Sequence, residues 1–503
     1  MSLAYTPPGV SIEEVLTTSI SPILSAPALV CLVGLTQGYQ TRTDQFVISG
    51  TDPVAIPGLP VGATLNEVLS VKDALDPSKG ASDGSGYIVT TDYTVSEANG
   101  TITRISGGAI ATGTLINVAY TYTVANYFDP IRLYDLGSVE SRFGSGLDDA
   151  GTAINSPVSY AASIVFENGA ESVVIQPLFK RATPGNPATA AGQPSSAQAA
   201  TLTTWQDTLY PLRDIEDINV IVPIAGQSQP NLGDSSLLSI FQAVQDHEYF
   251  MSGQDQYIVG LFGEDASASS SVAQAATIRS HASTLRGRYG GVLAEQNVLI
   301  NTAKFSRSLP GYNQTIAVGG QYVAASVAGM LSSRAVSQSL TRKVISGFLS
   351  VDDARSLQEK NEDAAAGLLV VESKGGNVLV RHAITLDQTN SARRELSVVR
   401  AKHRMIESVR DTIDTQIIGQ IIADANAPGI VSATISAVLE QLRLNRDLVD
   451  YSAVEARLLS LDPTTIQVRF SYRPAFPLNY VNIQFSLDLS NGTVTTNNTL
   501  TGV

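Results

Sequence analysis

The chain has 503 residues and one cysteine, so no internal disulfide is possible. Cys31 lies inside the apolar run Ala28-Leu-Val-Cys-Leu-Val33, where it reads as a small buried hydrophobe and not as a reactive thiol. No apolar run approaches the ~20 residues that a membrane helix needs, which argues against membrane insertion. Met1-Ser-Leu-Ala-Tyr-Thr-Pro-Pro8 carries no positive charge, so no secretory signal is expected and folding in the cytoplasm is. Histidine is scarce too. His247, His281, His382 and His403 are scattered, with no second His or Cys at ligand spacing.

Positive charge is in short supply overall. The formal net charge is −14 and the pI is near 4.8, which argues against direct nucleic-acid binding, since that depends on neutralising phosphates. One stretch departs from this balance. Arg393, Arg394, Arg400, Lys402, Arg404 and Arg410 face only Glu395 and Glu407 between residues 393 and 410. This is either a solvated helix face or a docking strip for an acidic partner.

Catalytic signatures are missing as well. No Gly-x-x-x-x-Gly-Lys-Ser/Thr occurs, and no Gly-x-Gly-x-x-Gly follows a strand, so no phosphate cradle and no cofactor are expected. Gly80-Ala-Ser82-Asp-Gly84 spells a nucleophile elbow, but in a polar loop and not between a strand and a helix. Asp246-His247-Glu248 is expected on a surface helix, where neighbours point in different directions and cannot share a metal. The carboxylate pairs Glu13-Glu14, Asp148-Asp149 and Asp352-Asp353 fall in expected arms and loops. Catalytic, cofactor and metal residues are therefore all expected to be none.

What is present is organisation. Such a length implies roughly three domains at ~150 residues each. Residues 1–25 are rich in Pro, Ser and Thr, and Pro7-Pro8 holds them extended as an arm. Residues 26–45 contain a short buried strand ending at Gly34. Residues 46–125 carry short β-rich runs (Tyr87-Ile-Val-Thr90, Thr101–Ile105, Leu115–Tyr122) broken by turns such as Asn99-Gly100, which predicts an all-β insertion. Residues 126–365 alternate strands (172–175, 218–222, 256–262, 297–300) with helices (235–249, 269–286), the pattern of an α/β middle domain.

Residues 366–503 form the densest pattern, an α+β unit. Val378, Val380, His382, Ile384 and Leu386 alternate as a strand. Leu396, Val399, Ile406, Val409, Ile413, Ile417 and Ile421 then recur as one helix face, with Asn390 or Ser391 as cap and Asn426-Ala-Pro-Gly429 as stop. A second helix follows through Ile435, Val438, Leu439 and Leu442. Two strands close the unit, one through Ile466, Val468, Phe470 and Tyr472, the other through Val481, Ile483, Phe485, Leu487 and Leu489. The last of these, and Gly9, Val10, Ile12 and Val15 near the other end, look extended enough to pair with a neighbouring copy's sheet. The predicted class is α+β multidomain.

Four stretches together resemble the tail sheath proteins of contractile-tailed bacteriophages, whose relatives include contractile bacteriocin and type VI secretion sheaths. Thr6-Pro-Pro-Gly-Val-Ser-Ile-Glu-Glu-Val15 is similar to the family's opening Pro-Gly-Val-Tyr-x-Glu-Glu, with Ser11 in the aromatic position. Residues 140–179, with Phe166-Glu-Asn-Gly169, resemble its middle segment, Ala170 standing for a second Gly. Leu368–Leu386 resembles the strand pair before its shared domain, and Arg393–Arg404 with Ile417-Ile-Gly419 its long helix. The resemblance implies a homo-oligomeric subunit in helical stacked rings around an inner tube, linked by its terminal strands, contracting to drive the tube through the bacterial envelope without a nucleotide or other cofactor. It implies as partners the tail tube, baseplate and tail terminator proteins, and as location the virion tail after assembly in the host bacterial cytoplasm. It turns Arg393, Arg394, Arg400, Lys402 and Arg404 towards the tube. The alternatives are an enzyme on the α/β region, with a catalytic set at the ends of the 220, 260 and 300 strands, or another self-assembling virion surface protein whose β insertion carries assembly.

Overall fold

In the computed structural model the described residues are 28–479 apart from 80–85, 149, 182, 184–190, 193–200, 216, 226–233, 265–271, 303, 310–313, 353–354 and 461, together with residue 481. Everything is arranged about the strand Leu29–Gly34, which is buried at every position. It lies inside a six-stranded sheet, between Ile218–Ile224 and Val173–Pro177. Val259–Phe262 and Asn297–Leu299 extend the sheet beyond Ile218–Ile224, all in parallel. Ile131–Leu133 closes the other edge in antiparallel register. Parallel strands covered on both faces read as continuous apolar runs, which is how these strands look in the sequence.

The alternation of side chains splits the central strand between two cores. Val30 and Leu32 join one with Val173, Val220 and Val222, while Leu29, Cys31 and Val33 join the other with Val174 and Ile221. Burial pushes the Cys31 thiol far up, as suits an inert packing residue. The helices Pro157–Glu167 and Gly320–Ser332 cover the first face, the latter buried from Gly320 to Leu331. Such an all-round burial leaves no amphipathic stripe, and this helix went unmarked in the sequence. Leu202–Leu209, Asp234–Ser252 and Val272–Gly287 cover the second face.

The β-rich insertion has its own core of Ile48, Ile102, Ile116, Val118 and Tyr120. Gln40–Ile48, Thr114–Thr123 and Thr64–Asp73 form one sheet in that order, and Val54–Ala55, Thr101–Arg104 and Tyr93–Ser96 a second. Its first strand opens at Gln40, ahead of the expected 46, because pairing with Thr114–Thr123 carries the polar residues Thr41 to Asp44 into the ladder. The expected strand Tyr87–Thr90 is reduced to a bridge at Val89, next to Thr90 in the left-handed region at φ 69°.

Three further differences concern the C-terminal region. The hairpin Val370–Lys374/Asn377–His382 sends Val371, Val378 and Val380 into the first core of the sheet body, so packing places it with that body and not with the unit after it. The long helix runs Leu396–Gln416 and ends before the expected stop. Gly419 at φ 71° turns the chain away, and Pro428 sits in the first turn of the next helix, Ala427–Leu444, where a missing N–H costs nothing. Ile417 and Ile421 still pack with Val431, Ile435, Ile466 and Val468 in a fourth core, so the apolar pattern outlives the helix. Two hairpins complete this unit, Leu448–Tyr451 with Tyr472–Pro474 and Glu455–Leu459 with Asp462–Arg469. The chain is an α+β multidomain protein.

At Gly34 an added Cβ would lie 2.3 Å from the Ile224 carbonyl oxygen of the adjacent strand. Gly34→Ala is expected to destabilise the chain by about 1–3 kcal/mol, read as a lower urea midpoint at unchanged slope.

Candidate interdomain seam and assembly surfaces

The basic segment begins in a short helix, Ser391–Arg394, whose first turn is capped by Asn390 Oδ1 accepting from the Arg393 N–H at 3.0 Å. Glu395 breaks the helix at ψ 114°, and its carboxylate lies 2.9 Å from His382 Nε2. The long helix then lies against the sheet body. Arg400 is 5% exposed and donates to the Leu331 carbonyl at 2.7 Å. Arg404 Nε is 3.6 Å from Asp447, and Lys402 is paired with Glu295. The His403 ring stacks on Tyr257 at 5.0 Å. One turn on, Asn219 donates to both Glu407 oxygens at 3.3 Å and accepts from the Leu29 N–H at 3.0 Å. This amide ties the helix to the central strand.

The basic strip is therefore a seam inside the subunit. Arg400 and Lys402 are turned onto the sheet body and Arg404 towards Asp447 of the C-terminal unit, contrary to an open docking face, because a carbonyl and acids distant in sequence meet them there. Only Arg393 and Arg394 keep substantial exposure, at 49% and 38% of the side chain, the former 3.6 Å from Glu295 and 3.5 Å from Asp387, the latter 3.7 Å from Glu395. Burial sets the protonation of the seam. It lowers Arg400 to about 10, with Arg404 adding to the effect, and holds His403 well below the usual histidine range. It raises Glu407 to about 7, against the opposing pull of Arg410. Asn219, Tyr257, Glu295, Leu331 and Asp447 carry no signal in the sequence that would have assigned them to this seam.

Asp246-His247-Glu248 is not a surface element. His247 is 2% exposed and Glu248 fully buried, since this part of the helix packs on the sheet. Burial, with Arg213 nearby, drives His247 down to about 3, while burial raises Glu248, which accepts from Asn297 Nδ2 at 2.8 Å. Asp246 alone faces outward, paired with Arg288 at 2.5 Å. Among the described residues no group of three His, Cys, Asp or Glu is placed to hold a metal. Asp148 closes a turn by accepting from Thr152 N at 2.6 Å, and Asp352 pairs with Lys304 at 3.4 Å. Gly80–Gly84 and Glu13-Glu14 lie outside the described residues. Beyond the ends of the 260 and 300 strands, Glu264 meets His281 at 2.8 Å, and Asp363 takes both Arg279 and Arg355 at 2.7 Å. These buried acids are each matched by a base, as structural clamps are.

The terminal segments expected to link subunits also fall outside the described residues: Gly9, Val10, Ile12 and Val15 at one end, Ile483, Phe485 and Leu487 at the other. Val481 is described, in no strand and 70% exposed. The C-terminal unit does present surfaces that strands use. The hairpin Glu455–Leu459/Asp462–Arg469 pairs with no third strand among the described residues. Beside it runs a groove of about 300 Å³ lined by Ile413, Ile417, Ile421, Ile435, Ile466 and Val468. Ile418 and Ile422 stand exposed near its rim, at 62% and 84%.

No family model matches the chain. In sequence it is 28% identical over 428 residues to the tail sheath protein of Mycobacterium phage Bxz1, covering 82% of this chain and 68% of that protein. In structure it matches a chain of the anti-feeding prophage baseplate at TM-score 0.54 and 11% identity, over 97% of this chain and 100% of the other. It matches the PVC extracellular contractile injection system sheath complex in its contracted state at TM-score 0.52 and 11% identity, over 97% and 99%. The fold is that of contractile injection system sheath subunits. In sequence, the chain's resemblance is to a bacteriophage tail sheath protein.

Glu407 holds its proton up to about pH 7 in the folded chain and loses it near 4.5 when unfolded, so its contribution to stability falls as pH rises through that window and is level above it. Glu407→Gln keeps the shape and removes this dependence. At about pH 8 the variant should be more stable than the parent by roughly 1–3 kcal/mol, with the difference shrinking towards pH 4.5 in urea titrations; parallel pH profiles for the two chains would refute the assignment.

Proposed function

We propose that this chain is the structural, non-catalytic subunit of a contractile tail sheath. It polymerises as helical stacked rings around an inner tube, and contraction drives the tube through the bacterial envelope for genome delivery. The observation that carries this reading is the extent of the likeness, which runs through 82% of the sequence with a phage tail sheath protein and 97% of the fold with a contractile sheath. Its partners are further copies of itself, the tail tube, the baseplate and the tail terminator proteins. Its place is the virion tail, after assembly in the host cytoplasm.

Linkage between copies falls to the segments around Gly9, Val10, Ile12 and Val15 and around Val481, Ile483, Phe485 and Leu487. The groove beside the hairpin Glu455–Leu459/Asp462–Arg469 supports this, because an added strand needs an apolar strip for its alternate side chains. Tube contact falls to Arg393 and Arg394, the two cations of the basic segment with open faces.

Removal of residues 1–15 is expected to leave folded subunits that form no sheaths under negative-stain microscopy; normal sheaths from the shortened chain would overturn the linked lattice. Arg393→Glu with Arg394→Glu should leave sheath formation intact and release the tube on co-purification. Arg400→Glu should act differently, weakening the fold itself by about 3–5 kcal/mol, since it places an uncompensated charge inside the seam.

A further inference from the structure

A recess of about 590 Å³ opens between the loop at 338–343, the helix Leu357–Ala365, the strand Asn377–His382 and residues 477–479. In a chain of net charge −14 its composition is unusual: Arg342, Lys343, Arg381 and His382 line it, and with Arg342 paired to Glu372 at 3.2 Å and His382 to Glu395 at 2.9 Å, Lys343 and Arg381 are left without an acidic partner among the described residues. The cations are held in place. The Arg342 N–H donates to the Val380 carbonyl at 2.7 Å, with Arg342 itself in the left-handed region at φ 63°, and the Lys343 carbonyl accepts from Val380 N at 2.9 Å. Arg381 Nη2 donates to Asn361 Oδ1 at 2.6 Å, while its Nη1 is buried without a partner. An unspent guanidinium donor away from water is costly unless an anion completes it. On the far side Asn479 reaches His382 at 3.4 Å, so the recess is bounded by the stretch that leads to the C-terminal segment.

We infer that this recess receives the acidic pair Glu13-Glu14 of a second copy of the chain. The inference rests on the linked-lattice reading above and adds its recognition chemistry. The volume is far larger than a small anion fills, a water occupying only ~30 Å³, and suits several residues of extended peptide. Residues 12–15, Ile-Glu-Glu-Val, bring two adjacent carboxylates. Adjacent residues of an extended chain point to opposite sides, so both acids are met only where cations come from more than one element. Here Lys343 comes from a loop and Arg381 from a strand. Backbone pairing sets how an arm lies; this charge match sets which residues of the arm lie there.

The test is a charge swap in the full-length chain, scored by sheath yield in microscopy and sedimentation. Glu13→Arg with Glu14→Arg, and separately Lys343→Glu with Arg381→Glu, should each lower sheath yield at least about tenfold at low salt, and the four changes together should restore it. Lys343→Gln with Arg381→Gln serves if the reversed recess does not fold, and should also lower the yield. Normal assembly of the arm-reversed chain, alongside failure of the chain lacking residues 1–15, would overturn the recess while leaving the linked lattice standing. Assembly of both chains would overturn the linked lattice itself. Recess variants that polymerise normally but lose the tube would give the site to another protein and overturn the assignment, as would binding of inorganic phosphate with sheath yield unchanged in every variant.

Discussion

One side-chain amide ties the long helix to the central strand. Asn219 receives the N–H of Leu29, at the start of the central strand, and gives its own hydrogens to Glu407 on the long helix. Around it Arg400, His403 and Arg404 are withdrawn from water, and a carbonyl, an aromatic ring and a carboxylate on other elements meet them. Buried charge is a poor source of stability but a strict source of geometry, since any other docking leaves it unpaired. A seam that permits one arrangement fixes the long helix against the sheet body.

Much of the fold was legible in the sequence because its signals are local. The strand at Leu29–Gly34, the parallel strands near 174, 220, 260 and 298, and the helices near 240 and 280 all announce themselves by apolar runs and periodicity. The failures are equally physical. The helix Gly320–Ser332 is buried on every side and so shows no period. The long helix ends early because Gly419 takes a left-handed turn while the isoleucines beyond it go on packing.

The candidate site was legible only in part. A count of cations between 393 and 410 cannot tell an open strip from a seam, because Arg400, His403, Arg404 and Glu407 recur at the same spacing as a packing face. Their partners, Asn219, Glu295, Leu331 and Asp447, arrive from other parts of the chain. His247 and Glu248 misled for a related reason: a polar triplet on a helix reads as exposed until the sheet beneath it is known. The family resemblance supplied what the residues alone did not, and it did so through order and spacing along the chain, not through any one motif.

The position of the central strand has a mechanical meaning. The segment before Ala28 joins the folded body at a strand with parallel neighbours on both sides. A pull directed along the axis of Leu29–Gly34 would strain the hydrogen bonds to both neighbours together, in shear, and not open them one after another as at a sheet edge. The β insertion escapes this load, since its entry and exit strands, Gln40–Ile48 and Thr114–Thr123, are paired with each other and close a loop beside the force line. Tension along this strand is shared by both of its neighbours at once, and the appendage stands outside that line.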